Sequence, residues 1–322
     1  MWTHLRRESF RMKLHCFDGK LFSSLPPLVP VQLPSPTETH LWYLLPNEVK
    51  RKPLIDQYLE FLSPCEKEYV FSMRGEELRK RALLARALVR TTIARYQTNP
   101  EVNPRSLKFR KNIHGKPEVD WQHSDDWNPP PLHFNLSHTS SLIACGVTLD
   151  SQIGIDVEEK QRKTKNNILA FARRYFSCYE VELLTAISDL EVQRQEFIKL
   201  WTLKEAYVKA LGRGFSGAPF KTFAIQFRAT KTGNLHPSGN LKFMASEIVV
   251  ESFDDSTILT SNWQFALLEL AGSHYAAICT EMDGTPGKYK APIKLTVWKT
   301  IPLLEDKCVS GTDAVVAIGG LT

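Results

Sequence analysis

An α+β fold, with strands in both halves of the chain and long helices between them, is what the order of patterned segments predicts. Three observations carry this. Apolar-polar alternation marks residues 132–136, 142–149 and 152–158 in immediate succession. A long helical stretch then intervenes, and further strand-like segments follow at 222–228, 241–250, 263–270 and 274–279. Strands and helices therefore do not alternate one for one, as a doubly wound parallel sheet requires.

The chain of 322 residues is long enough for two domains or one large one. Its 43% hydrophobic and 24% charged content excludes wholesale disorder and collagen-like structure. No apolar run approaches the roughly 18 residues that a membrane-spanning helix needs. The six cysteines are widely separated with no C-x-x-C pair, which excludes a zinc ribbon and favours a reducing compartment over a disulfide framework. Lys+Arg 41 against Asp+Glu 35 leaves +6, which suits acidic partners or phosphate-rich ligands without demanding nucleic acid.

Residues 1–40 read as an N-terminal extension, basic at the start and proline-rich at the end. The expectation is a disordered cytosolic segment, with a mitochondrial transit peptide as the alternative; Glu8 and Asp18 weigh against the latter. A helix is predicted over 76–96, where Leu78, Ala82, Ala85, Val89, Thr92 and Tyr96 recur every three or four residues. Arg79, Arg86 and Arg90 then fall on a solvated face, and Asn99-Pro100 ends the helix. Turn chemistry at His114-Gly115-Lys116-Pro117 and a loop over 127–131 lead into the first strand group. Ser177-Cys178-Tyr179-Glu180 is a capping box opening a helix to about residue 187. The long helix spans 191–211, with Gly212 and Gly214 as its stop. The stretch after about Gly287 has no evident role.

Chemistry concentrates in three places. On the strand at 152–158, Ile153, Ile155 and Val157 share one face, which leaves Gln152, Gly154, Asp156 and Glu158 on the other. Two carboxylates so close repel unless solvated, protonated or offset by a hard cation such as magnesium. Alone, the pair fits a solvated strand face equally well. Glu159 points the other way. On the long helix, Glu205 and Lys209 are four residues apart and share a face, a spacing that also describes an ordinary surface ion pair. Phe134-Asn135-Leu136-Ser137-His138 leaves a strand into a polar turn. Without a G-x-S-x-G elbow it suits phosphate better than a hydrolase nucleophile.

Taken together, Gly115-Lys116-Pro117, Phe134-Asn135-Leu136-Ser137-His138, Gly154-Ile155-Asp156-Val157-Glu158 and Trp201-Thr202-Leu203-Lys204-Glu205-Ala206-Tyr207-Val208-Lys209-Ala210 resemble the 4'-phosphopantetheinyl transferases of the large, pseudodimeric Sfp type. The motifs fall in the family's order, over roughly residues 41–282. The resemblance implies two similar α+β halves, 41–150 and 151–286, packed as an intramolecular pseudodimer with the active site between them, and 287–322 as a tail. A monomer is implied, since one chain supplies both halves.

The implied reaction moves the 4'-phosphopantetheine arm of coenzyme A to a serine of an acyl or peptidyl carrier protein and releases 3',5'-ADP. By the same resemblance Asp156, Glu158 and Glu205 hold Mg2+, and Glu205 and Lys209 are catalytic. Ser137 and His138 meet the 3'-phosphate side of coenzyme A. Lys111 and Lys116 surround the adenosine end, Arg81 is a looser basic match, and Asn135, Asp156, Lys204 and Lys209 complete the coenzyme A set. One departure stands out: in Ser63-Pro64-Cys65-Glu66-Lys67-Glu68-Tyr69, Tyr69 falls where at least some members of the family carry a basic residue, with Lys67 as a substitute. The alternatives are a metal-dependent nucleotide hydrolase or nuclease using the same carboxylates, and a non-catalytic RNA-binding protein resting on the basic excess, which lacks an RNP-like strand motif. Neither nucleic acid nor membrane is expected as a partner.

Overall fold

The computed structural model describes residues 28–96, 103–121, 130–163, 167–228, 247–253, 263–282 and 293–321. Most of the predicted extension, the helix stop at Asn99-Pro100 and part of the 127–131 loop lie outside them, as do residues 241–246 of one expected strand.

The first half runs β1 (Glu38–Leu44), three helices α1 (Lys52–Phe61), α2 (Pro64–Ser72) and α3 (Glu76–Ala94), a hairpin β2 (Lys108–Lys111) and β3 (Pro117–Asp120), then β4 (Leu132–His138) and β5 (Ile143–Leu149). The second half repeats the plan. It has β6 (Ile153–Glu159), helices α4 (Ile168–Tyr175), α5 (Cys178–Thr185) and α6 (Leu190–Leu211), and the short turn α7 (Gly214–Gly217). The hairpin β7 (Phe223–Arg228) and β8 (Glu247–Ser252) follows, then β9 (Trp263–Leu270) and β10 (His274–Glu281). In each half the first strand lies against the last, antiparallel, and the last against the one before it: β1-β5-β4 and β6-β10-β9. This repeat is structural; no short period in the sequence announces it.

The stretch expected to be a featureless tail belongs to both sheets. Strand β11 (Lys294–Ile301) pairs parallel with β1, placing Trp298 against Trp42 with stacked rings 4.5 Å apart. Strand β12 (Glu305–Cys308) returns along β11, and β13 (Val315–Ala317) pairs with β9. The sheets are therefore β12-β11-β1-β5-β4 and β13-β9-β10-β6. The expected extension is corrected in part as well: Leu28, Val31 and Leu33 pack on the first core, and the Val31 amide donates to the Arg95 carbonyl.

Arg90 and Arg95 do not lie on a solvated face. Arg90 is buried, with Nη2 donating to Glu66 Oε2 at 2.6 Å and Nη1 to the carbonyls of Pro104 and Leu107 at 2.8 and 3.0 Å. Arg95 is buried against Trp42 and donates to Asp306. Their alkyl stems join the apolar face while the charges find fixed acceptors, which a helical-wheel reading cannot anticipate.

The halves meet along β4 and β6. Asn135 Oδ1 accepts from the Ile155 amide at 3.0 Å, and Ser137 Oγ from the Val157 amide at 3.2 Å. Side chains of one strand thus satisfy backbone donors of the other where no ladder forms. Ile153, Ile155 and Val157 enter a core shared with Leu41, Leu142 and Ile278, so the apolar face predicted for this strand is the one that joins the two halves.

Candidate active site

The opposite face of β6 carries Gly154, Asp156 and Glu158, and α6 lies across it. Gly154 makes this approach: a Cβ there would sit 2.0 Å from the Ala206 carbonyl oxygen and 2.2 Å from the Ala210 amide nitrogen. Helix α6 begins at an Asp189 cap, whose carboxylate accepts from the Glu191 and Val192 amides, and ends at Gly212 with φ 64°. Between these ends, Glu205 and Lys209 flank the contact with Gly154 and face the acidic residues of β6.

Lys209 Nζ donates to Asp156 Oδ1 at 2.6 Å and to Ser137 Oγ at 3.1 Å, and Ser137 Oγ donates to Asp156 Oδ1 at 2.9 Å. Three elements, β4, β6 and α6, therefore converge on one carboxylate oxygen. The other, Asp156 Oδ2, is buried and has no hydrogen-bond partner among the described residues. Burial, then the like charge of Asp156, pushes the Glu158 carboxyl up to about 7; burial, Asp156 and Glu158 do the same to Glu205, against Lys209. Arg162 pairs with Glu158.

Among the described residues no three His, Cys, Asp or Glu side chains stand gathered as a metal cage. Lys209 and Arg162 reach in among the acids instead. The donor chemistry nonetheless fits a hard divalent ion: oxygen ligands only, one of them buried and unpartnered, and two carboxyls whose pKa values are raised by burial and then by neighbouring like charge.

Next to the carboxylates, a hollow of about 310 Å³ is lined by His138, Thr139, Ser140, Glu158, Glu159 and Arg162. Burial and the charges of Lys209, Arg81 and Arg86 hold the His138 imidazole below its ordinary range. Glu159 lines this hollow together with Glu158 and accepts from Ser140 at 2.5 Å and Ser141 at 2.7 Å. His274, buried on β10, shares hydrogen bonds of 3.0 Å with Thr139 and Ser141 and so fixes this loop. His274 and Arg162 were not singled out from sequence, and Arg86, expected on a solvated face, is half-buried; only the strand register brings His274 opposite Glu159.

Three predicted ligand residues are placed elsewhere. Lys204 is fully buried and donates to both Glu180 oxygens and to the Phe223 carbonyl, each at 2.7 Å. The expected coenzyme A contact is not what the side chain makes here: the helix turns it into the space between α5 and β7. Lys116 donates to Gln152 Oε1 and the Ile153 carbonyl at 3.0 Å and to the Ala210 carbonyl at 3.3 Å, and burial brings its pKa down to about 8. It fastens the β2–β3 turn to β6 and the end of α6. Asn135 is spent on the Ile155 amide. Lys111 is exposed at the end of β2, and Arg81 donates to the Glu77 carbonyl at 3.4 Å.

A sequence model of the 4'-phosphopantetheinyl transferase superfamily matches residues 152–279, and one of the 4'-phosphopantetheinyl transferase N-terminal region matches 51–148. The chain is 33% identical to 4'-phosphopantetheinyl transferase Sfp of Bacillus subtilis over 53% of its own length and 69% of that protein. It is 33% identical to 4'-phosphopantetheinyl transferase HetI of a Nostoc species over 56% of its own length and 70% of that protein. Among solved structures, it is similar to the holo-[acyl-carrier-protein] synthase of Thermotoga maritima at 22% identity and a TM-score of 0.27, covering 41% of this chain and 63% of the other. The two matched regions divide where β5 passes to β6, so the carboxylates and α6 come from one and Ser137 and His138 from the other, and the chain belongs to the 4'-phosphopantetheinyl transferases.

Proposed function

We propose that this chain transfers the 4'-phosphopantetheine arm of coenzyme A to a serine hydroxyl of an acyl or peptidyl carrier protein, releasing 3',5'-ADP, with Mg2+ as cofactor. The observation that carries this reading is the convergence of Ser137, Asp156 and Lys209, with Glu205 and Glu158 beside them and Glu158 also lining the hollow that His138 borders. Asp156, Glu158 and Glu205 would hold the ion, which when bound offsets charge on the pyrophosphate. Lys209, already seated on Asp156, is placed to stabilise the negative charge of the departing phosphate. Glu205 would accept the serine proton at its carboxylate.

The test is the intact mass of an apo carrier protein after incubation with enzyme, coenzyme A and Mg2+, with an EDTA control. The expected result is a gain of one phosphopantetheine, abolished by EDTA. Glu205→Gln should retain coenzyme A binding while turnover falls about 100-fold or more. Near-normal turnover in that variant removes Glu205 as the base. Absence of both mass gain and coenzyme A binding overturns the reading as a whole.

The raised carboxyls also predict a linkage between pH and the metal. A folded pKa near 7 against an ordinary 4.5 means that the folded state binds more protons in between. Stability without metal therefore falls as pH rises through that window, and the cost is fully present above about pH 7. Thermal melts in EDTA and in millimolar Mg2+ should show a larger stabilisation by Mg2+ at about pH 7.5 than at about pH 5.5. The Glu158→Gln, Glu205→Gln double variant should flatten that difference. Equal Mg2+ shifts at both pH values in the unaltered enzyme contradict it.

A further inference from the structure

Asp156 and Glu158 each already carry a cation of the chain. Lys209 sits on Asp156, and Arg162, in the loop that leaves β6, sits on Glu158 Oε1. The two cations are held differently. The Lys209 ammonium is also fixed to Ser137 and comes from a helix seated against Gly154. Arg162 comes from a loop whose backbone is pinned: its amide donates to the Glu159 carbonyl at 3.0 Å, and Arg194 donates to the carbonyls of Lys160 and Arg162. Its side chain makes no hydrogen bond besides the one to Glu158 among the described residues. That side chain is 46% exposed against 15% for Glu158, borders the hollow beside His138, and lies 5.9 Å from the centre of the Trp201 ring. A guanidinium leaving Glu158 therefore has water on one side and an aromatic ring on the other to receive it, whereas the largely buried carboxylate stays.

We infer that Arg162 is a resident counter-cation of Glu158 which a divalent ion must displace, and that it holds down the affinity of the free enzyme for that ion. The inference rests on the transferase reading and deepens it. Asp156 Oδ2 stands open to the ion, while Glu158 is closed by a charge of the ion's own sign. A cation paired with a ligand oxygen competes with the metal for that oxygen and also repels it through space. A half-exposed ion pair adds little to stability, so its removal reads out at the site rather than in the fold.

Titration with Mn2+ at about pH 8, read as loss of the free ion's paramagnetic resonance signal, tests this without coenzyme A or a carrier protein. That pH lies above the value of about 7 to which the Glu158 carboxyl is raised, so protons compete little with the ion. Arg162→Gln should bind Mn2+ about 5–20-fold more tightly than the unaltered enzyme. Arg162→Lys keeps the charge and should stay within about threefold of the unaltered value. Lys163→Gln removes a neighbouring exposed charge that pairs with no carboxylate among the described residues, and should shift the affinity by less than about twofold. Arg162→Ala repeats the measurement should Arg162→Gln not fold. An unchanged or weakened affinity in Arg162→Gln, or an equal gain in Lys163→Gln, overturns the inference. If the unaltered enzyme still loads a carrier with Mg2+ in that case, the transferase reading stands. An enzyme that binds no divalent ion and loads no carrier ends both.

Discussion

Lys204→Met should lower the melting temperature by roughly 10 °C or more while leaving coenzyme A affinity per folded molecule unchanged. Lys204 and Glu180 are both fully buried. All three ammonium donors are used, two on Glu180 and one on the Phe223 carbonyl. Glu180 also caps α5 through the Ser177 amide and accepts from the Ile225 amide at 2.9 Å. Removing the lysine leaves those contacts but strands a carboxylate without its counter-charge in the interior, at a cost of about 3–5 kcal/mol. The double variant Lys204→Met, Glu180→Gln should recover most of the loss, because deleting both charges avoids the stranded ion. Calorimetric melts of the three proteins decide it. A single variant that melts normally but has a raised KM for coenzyme A would return Lys204 to the ligand set.

Gly154→Ala should damage fold and activity together. The added methyl would meet the backbone of α6 at Ala206 and Ala210, which no rotamer change can relieve. The helix must back away from β6, at about 1–3 kcal/mol or more of stability. Glu205 and Lys209 travel with it, since each adjoins one of the two clashing residues. A displacement near 1 Å at a reacting centre costs about 100-fold in rate. A lowered melting temperature and kcat/KM down by about 100-fold are expected. Near-normal values for both would mean that the close approach of α6 to β6 is dispensable.

What the sequence disclosed and what it withheld follow from the physics of each residue. Strands β4, β5 and β6 were legible because one face of each is apolar, and the capping box at Ser177 and the Gly212 stop delimit α5 and α6 by local chemistry alone. Asp156, Glu158, Glu205 and Lys209 were legible as a face of a strand and a face of a helix, and the structure sets these faces against each other. Helices α1 and α2 went unread, both being short and α2 weakly patterned as well. Strand β11 is mostly half-buried and β12 exposed throughout, so neither shows the in-out alternation that betrays a strand; pairing defines them, that of β11 with the distant β1 above all. Lys204, Lys116 and Arg90 were misplaced for a shared reason. A charge on a helix or turn reads as surface until its buried partner, distant in sequence, is known.

The parallel pairing of β11 with β1 bears on the order in which the polypeptide can mature. Strand β1 sits between β5 and β11, with Leu41 opposite Val297 and Trp42 opposite Trp298. The Tyr58 hydroxyl donates to the Pro302 carbonyl across 244 residues of chain, and Arg95 reaches Asp306 across 211. As the chain leaves the ribosome, the amino-terminal half emerges with one flank of β1 bare and must wait for almost all of the rest. An unpaired hydrophobic strand of this kind is a template for pairing with other nascent chains. Strand β11, made long after β1, thus acts as a closing seam, and residues remote from every reactive group decide whether newly synthesised protein survives to become enzyme.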